Sequence, residues 1–320
     1  MSVRIGVIGA GSMGSLHARV IATSDATELA WVADPNEQVG RAVADRYSTQ
    51  WLPEPHTTGV DAIVIASPTP FHADQAMNII SAGLPLIVEK PLADSYDQAS
   101  SIVAAAETQG VVLMCGFLER FNPAVRTAIE IAKEPLHVAT TRHSPYADRI
   151  RTGVAADLLI HDVDIVVRLF NAQPSAVSGH FGYFEPRSGV TSEDVADCVL
   201  QFADGQIAAL SVSRIAQHKV RTLTISELGR VIEVDLLRQA ITIYHHVQAA
   251  GYDEEAGYRQ QTIIDIPVIR HPGEPLQLQL AHFIALLDGR ADADAERATL
   301  LPPHRVVHEI TTVARGVRHA

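Results

Sequence analysis

The chain has 320 residues with 37 Asp and Glu against 25 Lys and Arg, a formal net charge of −12. That balance argues against a nucleic-acid or anionic-membrane surface, and no apolar run approaches the roughly 20 residues that span a bilayer. A length of 320 residues favours two domains over one core, while the 15 His form no HExxH or Cys/His cluster, so no metal site is expected. The lone Cys115 and Cys198 sit in apolar runs, as buried thiols of a reducing cytoplasm do, and with a first strand opening at Val3 no signal peptide is expected.

In chain order, Val3–Ile8 is a β-branched run that ends in Gly9-Ala10-Gly11-Ser12-Met13-Gly14, and a helical pattern follows over 13–24. Strand, glycine turn and helix in this order form the dinucleotide-binding fingerprint. Gly9 permits the turn, Gly11 lets the backbone approach a pyrophosphate, and Gly14 lets helix and strand pack closely. The helix N-terminus, with Ser12 and Met13, offers N–H groups to the phosphates. Asp34 ends the next apolar run, Leu29–Ala33, where a carboxylate accepts from a ribose diol and repels a 2′-phosphate, so NAD is the expected cofactor. Further strand-like runs at Asp61–Ser67, Leu84–Glu89 and Val111–Gly116 alternate with helical patterns at 36–47, 71–82 and 94–109, which predicts a doubly wound parallel sheet.

Three constellations fall in or after this pattern. Ser67-Pro68-Thr69-Pro70-Phe71-His72 follows the third strand; Ser67, Thr69 and His72 touch the cofactor, or else serve as turn and capping chemistry. Glu89-Lys90-Pro91 follows the fourth strand, at the sheet edge where ligands bind. There the Lys90 ammonium can bond a substrate hydroxyl and assist its proton loss, or be a solvated strand-end lysine. After helical residues 122–133 and a strand over Leu136–His143, a helix over 154–170 carries Asp157, His161, Asp164 and Arg168 on one stripe of an otherwise aliphatic surface, with Asp162 off it. Asp157 and His161, one turn apart, can reach one substrate, and a histidine can take a hydroxyl proton near neutral pH; the alternative is a solvated stripe of ion pairs. Arg142, His143, Arg149 and Arg151 make a local basic cluster in an acidic chain, and Arg149 and Arg151, helped by Arg120, are candidates to hold an anionic part of the substrate.

From 175 onward the pattern is mainly strands: Val195–Phe202, Gln206–Ile215, Val220–Ser226, Arg230–Leu236, Ala240–His246 and Tyr258–Ile269. Helices over 276–289 and 303–318 close the chain, with a polar loop at 288–298. The expected organisation is a Rossmann dinucleotide-binding domain over 1–119 and an α+β domain over 120–320, built on an open, mainly antiparallel sheet that binds substrate. An open sheet leaves a broad face that subunit association covers, which predicts a homodimer or homotetramer.

The motifs GAGSMG, EKP, GFLERFNP at 116–123 and the DxxxH helix resemble those of the glucose–fructose oxidoreductase/inositol dehydrogenase (Gfo/Idh/MocA) family, over almost the whole chain to Glu274-Pro275-Leu276. The resemblance implies an NAD-dependent dehydrogenase with Lys90, Asp157 and His161 as catalytic residues, and the glycine turn, Asp34, Thr69, His72 and Glu89 as cofactor contacts. ERFNPAV and Arg149-Ile150-Arg151 are most similar to the nucleotide-sugar 3-dehydrogenase branch, which implies oxidation at C3 of a UDP-N-acetylglucosamine-like substrate. The DxxxHDxD pattern also suits inositol, cyclitol or aminocyclitol dehydrogenases, and Leu159 stands where many members have glycine. A catalytically silent NAD-sensing regulator on the same fold is the alternative of another class, although a sensor has no need of Lys90 and His161.

Overall fold

A computed structural model describes residues 2–148, 152–189, 192–248, 260–271 and 273–318. The chain divides into two compact units, one of residues 1–121 with 274–308 and the other of residues 122–273 with 309–320. The division is therefore not a single cut near residue 119: the chain returns to the first unit after 273.

The first unit holds a six-stranded parallel sheet in the order β3-β2-β1-β4-β5-β6. Its strands are β1 (Val3–Ile8), β2 (Thr27–Ala33), β3 (Gln50–Leu52), β4 (Ala62–Ile65), β5 (Leu86–Val88) and β6 (Leu113–Cys115). Helices α1 (Ser12–Ala22), α2 (Glu37–Arg46), α3 (His72–Ser81) and α4 (Tyr96–Gln109) connect them. Strands β4, β5 and β6 and the C-terminal residues of β1 and β2 are buried on both faces, which is why they read as continuous aliphatic runs rather than alternating ones. Strand β3 is three residues long, too short to leave a periodic signal. The unit's core joins Ile5, Val7, Val32, Val64 and Ile87 of the sheet to Leu276, Leu280, Phe283 and Leu286 of α7 (Pro275–Leu287). That shared burial is the physical reason the late segment belongs here.

Residues 288–298 are only partly a loop, because α8 (Ala293–Ala298) forms within them. Its start is set by capping rather than apolar periodicity: the Asp292 carboxylate accepts from the N–H groups of Asp294 and Ala295 at 2.9 and 3.0 Å. Helix α9 (Leu301–Arg318) follows.

The second unit is an eight-stranded sheet in the order β14-β13-β12-β11-β7-β10-β9-β8. Its strands are β7 (His137–His143), β8 (Ala176–Gly182), β9 (Val195–Gln201), β10 (Ile207–Ser213), β11 (Val220–Glu227), β12 (Arg230–Asp235), β13 (Ala240–Gln248) and β14 (Gln260–Asp265). Every neighbouring pair is antiparallel except β7 and β10, which run parallel. One register row, Gly179, Cys198, Leu210, Thr140, Leu223, Val234 and Ile241, is buried. The adjacent row, Ser178, Val199, Ala209, Ala139, Thr224, Glu233 and Thr242, points the other way, mixes polar with mostly small apolar side chains, and is exposed or half-buried. Helix α5 (Pro123–Ile131) packs on β12 and β13, and α6 (Ile160–Phe170) on β7 and β10. The expected strand over 258–269 is shorter, and residues 258 and 259 lie outside the described residues.

Candidate active site

In the first unit the carboxyl ends of β1, β4, β5 and β6 form one edge, because each strand hands its next N–H to its neighbour: Ala66 N–H to the Ile8 carbonyl at 2.8 Å, Glu89 to Ile65 at 2.9 Å, and Gly116 to Val88 at 2.7 Å. Gly9, Ser67, Lys90 and Gly116 lie along it. Gly9 has φ 91°, and a Cβ there would meet the Ala66 carbonyl at 2.7 Å. A Cβ on Gly14 would lie 1.8 Å from the Gly9 oxygen. A Cβ on Gly11, by contrast, would meet nothing within 4 Å. Gly11 thus leaves open space beside the exposed start of α1, whose first turn has no side-chain cap and no acidic residue. This is a cradle suited to a pyrophosphate.

Asp34 is half-buried at the end of β2; its carboxylate accepts from Ala10 N–H at 2.7 Å and from Asn36 N–H at 2.8 Å. It therefore pins the glycine turn as well as presenting the negative charge expected there.

Glu89 is buried, and its Oε1 lies 2.8 Å from Nε2 of His17, a buried residue of α1. Gly116 makes room for it, since a Cβ there would stand 2.7 Å from the Glu89 carboxylate. Lys90 is half-buried and is joined to Pro91 by a cis peptide.

Ser67 Oγ donates to Gln75 Oε1 at 2.6 Å, and Thr69 opens a 3-10 turn whose carbonyl accepts the His72 N–H. His72 is buried, with Nδ1 2.9 Å from the Pro91 carbonyl and Nε2 2.8 Å from the Ser67 carbonyl. Both partners are carbonyls, so a neutral ring donates its single N–H to one of the two; in either tautomer the ring is engaged within the sheet edge, which is the turn-chemistry alternative. Arg120 likewise differs from expectation. Its buried guanidinium donates to Glu296 Oε1 at 3.1 Å, Thr299 Oγ1 at 2.7 Å and the Thr299 carbonyl at 3.1 Å, and it lies 4.6 Å from the Phe117 ring centroid. It holds α8 rather than offering a free cation to a substrate.

In the second unit, the expected helix over 154–170 begins as a π turn, Ala155–Leu159, before α6. A π turn widens the helix and shifts the phase of the residues after it, so the single polar stripe breaks. Asp157 and His161 are half-buried and Arg168 is exposed, but Asp164 is 1% exposed. Asp162 is also buried, and its Oδ1 accepts from Arg142 Nε and Nη2 at 2.9 and 2.8 Å. Arg142 is thus the internal counter-charge of α6 and not part of a basic loop. His143 Nε2 lies 3.0 Å from Ser211 Oγ. Arg149 and Arg151 lie outside the described residues.

The start of the π turn is set by a residue the sequence did not mark. Glu193 is buried; its Oε1 accepts from Ala155 N–H at 2.9 Å, and its own carbonyl accepts from Val154 N–H at 3.1 Å. Burial holds its carboxyl above the usual range. Gly153 is required beside it, because a Cβ would come within 2.1 Å of that carboxylate. Arg214 donates to the Thr152 carbonyl and faces Asp194 Oδ1 at 3.8 Å, bracing the same approach to the helix. His17 could have been found from the sequence: a histidine on the apolar stripe of Gly14, Ala18 and Ile21 needs a buried partner. Glu193, in a stretch of polar residues, carried no such signal.

Residues 3–117 match the model of the Gfo/Idh/MocA oxidoreductase family, NAD-binding Rossmann fold, and residues 134–232 match that of the Gfo/Idh/MocA C-terminal domain. The chain belongs to the Gfo/Idh/MocA family. It is an oxidoreductase, and NAD is its cofactor. UDP-N-acetylglucosamine 3-dehydrogenase of Acidithiobacillus ferrooxidans is 29% identical over 248 residues, 76% of this chain and 77% of that protein. The NAD-dependent scyllo-inositol 2-dehydrogenase of Bacillus subtilis is 30% identical over 264 residues, 75% and 76% of the two chains. The solved structure of the Acidithiobacillus enzyme superposes with a TM-score of 0.80 at 25% identity, covering 98% of this chain and 99% of that one. No helix among the described residues is long and apolar enough to cross a membrane.

Proposed function

We propose that the chain oxidises a secondary ring hydroxyl of a sugar, at C3 of a UDP-N-acetylglucosamine-like nucleotide sugar. The observation that carries the reading is the pair Asp157 and His161, half-buried at a π turn while the other acids of that helix, Asp162 and Asp164, are buried. π turns inside helices recur at functional sites; this one carries Asp157, and His161 follows in the first turn of α6, both half-buried. NAD, when bound, supplies the hydride acceptor. Gly9, Gly11, Ser12, Met13 and Gly14 would hold its pyrophosphate and Asp34 its adenosine ribose, with Ser67, Thr69 and Glu89 at the same sheet edge. Lys90 bonds the substrate hydroxyl and favours its ionised form, His161 takes the proton, and Asp157 orients the imidazole or the sugar.

The nucleotide-sugar assignment draws support from the likeness to the Acidithiobacillus enzyme over nearly the full chain. With Arg120 and Arg142 committed to buried carboxylates, the grip on a diphosphate falls to Arg149 and Arg151. A cyclitol substrate is the second reading, favoured by the 30% identity to an inositol dehydrogenase. The test is reduced-nicotinamide absorbance with UDP-N-acetylglucosamine, free N-acetylglucosamine, myo-inositol and scyllo-inositol side by side. Faster turnover of UDP-N-acetylglucosamine than of the other three supports the reading, and faster turnover of either inositol moves the chain to the cyclitol branch. The more exposed face of the second unit's sheet, on which Val199 and Ile207 are over 40% exposed, supports association as a homodimer or homotetramer through that face. Two buried cysteines outside any disulfide are consistent with a cytoplasmic setting.

A further inference from the structure

Lys90 is the cation at the cofactor edge to which the proposed chemistry assigns a proton-transfer role, and its aim depends on the turn that carries it. The chain leaves β5 through Glu89, Lys90, Pro91 and Leu92, and the last of these is fully buried. A buried backbone N–H must find an acceptor. The acceptor for Leu92 is His304, which lies 212 positions further along the chain: Nε2 of His304 sits 3.0 Å from the Leu92 nitrogen. At the other side of the ring, Nδ1 lies 2.7 Å from the Leu300 carbonyl. A carbonyl only accepts and an amide only donates, so the tautomer is determined: Nδ1 carries the proton and Nε2 is the acceptor. The ring is also flanked by Phe117, with centroids 5.5 Å apart.

We propose that His304 is a positioning residue for Lys90: as a neutral, Nδ1-protonated imidazole it holds the Leu92 amide and thereby fixes the Lys90–Pro91–Leu92 turn. His72 lies against the same turn from the opposite direction, with Nδ1 2.9 Å from the Pro91 carbonyl. Two buried imidazoles thus bracket the peptide after Lys90, one on a carbonyl and one on an amide. Only the neutral form of His304 can accept from Leu92, and burial keeps the ring in that form by pushing its pKa down to about 4. The inference rests on the catalytic reading of Lys90.

The side-chain geometry supplies the test. In His304→Gln the amide oxygen reaches as far as Nε2 and can accept from Leu92. In His304→Asn the amide reaches only as far as Nδ1, so it keeps the Leu300 bond and loses the Leu92 bond. The full-length protein is measured for hydrogen exchange at the Leu92 amide by NMR, for NAD affinity by calorimetry, and for kcat and KM. The substrate is whichever of UDP-N-acetylglucosamine and scyllo-inositol is oxidised faster. His304→Asn is expected to lose protection at Leu92 and to lower kcat about ten- to a hundredfold, the scale of a misplacement near 1 Å. NAD affinity is expected to stay within about threefold, and His304→Gln to restore both protection and kcat, by the same reasoning about reach. Equal turnover of the two variants, or a fall in kcat that only tracks a fall in NAD affinity, overturns the assignment. Lys90→Ala is run alongside. If it is inactive while His304→Asn turns over normally, only the positioning role fails; if it keeps wild-type turnover, the catalytic reading of Lys90 fails and takes this role with it.

Discussion

The Arg142–Asp162 pair offers the most direct check on how α6 is held. Both residues are at most 2% exposed, and the guanidinium Nε and Nη2 converge on Asp162 Oδ1 at 2.9 and 2.8 Å. The pair joins α6 to β7 one residue beyond His161. Arg142→Met fills similar space but leaves a carboxylate buried without its counter-charge, which costs about 3–5 kcal/mol. In a unit of this size each kcal/mol lowers the midpoint by about 2–4 °C, so the second unit should melt about 6–20 °C lower. Arg142→Met with Asp162→Leu removes both charges, and burial of an apolar pair of similar volume is often neutral or stabilising. The double variant should therefore recover most of the loss, giving a coupling of about 2 kcal/mol or more in a double-mutant cycle. Urea unfolding followed by circular dichroism, with calorimetric midpoints, measures all four proteins. An Arg142→Met midpoint within about 2 °C of wild type, less than the loss of 1 kcal/mol produces, or a double variant no more stable than the worse single, would refute the reasoning.

Three other outcomes are expected. NAD should bind at least about tenfold more tightly than NADP, since contact between like charges costs on the order of a kcal/mol. Asp34→Ala should narrow that ratio in calorimetric titrations and also weaken NAD, because the same carboxylate holds Ala10 N–H; equal affinity of the wild type for both cofactors would rule the assignment out. Lys90→Ala and His161→Ala should each lower kcat by about two to four orders of magnitude, and His161→Ala should flatten the pH–rate profile near neutrality; steady-state kinetics decides, and wild-type turnover in either variant counts against it. The pKa of His304 is depressed from 6.5 in the unfolded chain to about 4, so below 6.5 the unfolded state binds the extra proton. The stabilisation is complete above that pH and is lost as pH falls through 4, about 3 kcal/mol in all. Unfolding free energy of the first unit measured from pH 7 to 4 should therefore fall more steeply in the wild type than in His304→Gln; identical slopes would contradict the burial argument.

How much was legible in the sequence depends on how local each signal is. The glycine turn, the acid after β2 and the aliphatic strands are dictated by backbone sterics and burial over a few residues, and they appear where the spacing puts them. The mainly antiparallel second sheet was readable from its alternation, but the parallel pairing of β7 with β10 was not, because it joins strands about 70 positions apart. The polar stripe of residues 157–168 failed on one assumption, a uniform 3.6-residue period, since the π turn at Ala155–Leu159 is set by Glu193 and Gly153 from outside the periodic pattern. Arg120 and Arg142 looked available because a sequence displays charges without their partners. The carboxylates that hold them, Glu296 and Asp162, are 176 and 20 positions away. His304 was invisible for the same reason.

The return of residues 274–308 to the first unit has a consequence for synthesis on the ribosome. The six strands of the parallel sheet emerge in the first 115 residues, yet Leu276, Leu280, Phe283 and Leu286 belong to the same apolar core. Until α7 leaves the exit tunnel the nascent sheet lacks one of its coverings, and until the start of α9 follows Leu92 lacks the imidazole that satisfies its amide. The NAD-binding unit is thus begun first and completed nearly last, after the whole of the eight-stranded sheet has been made.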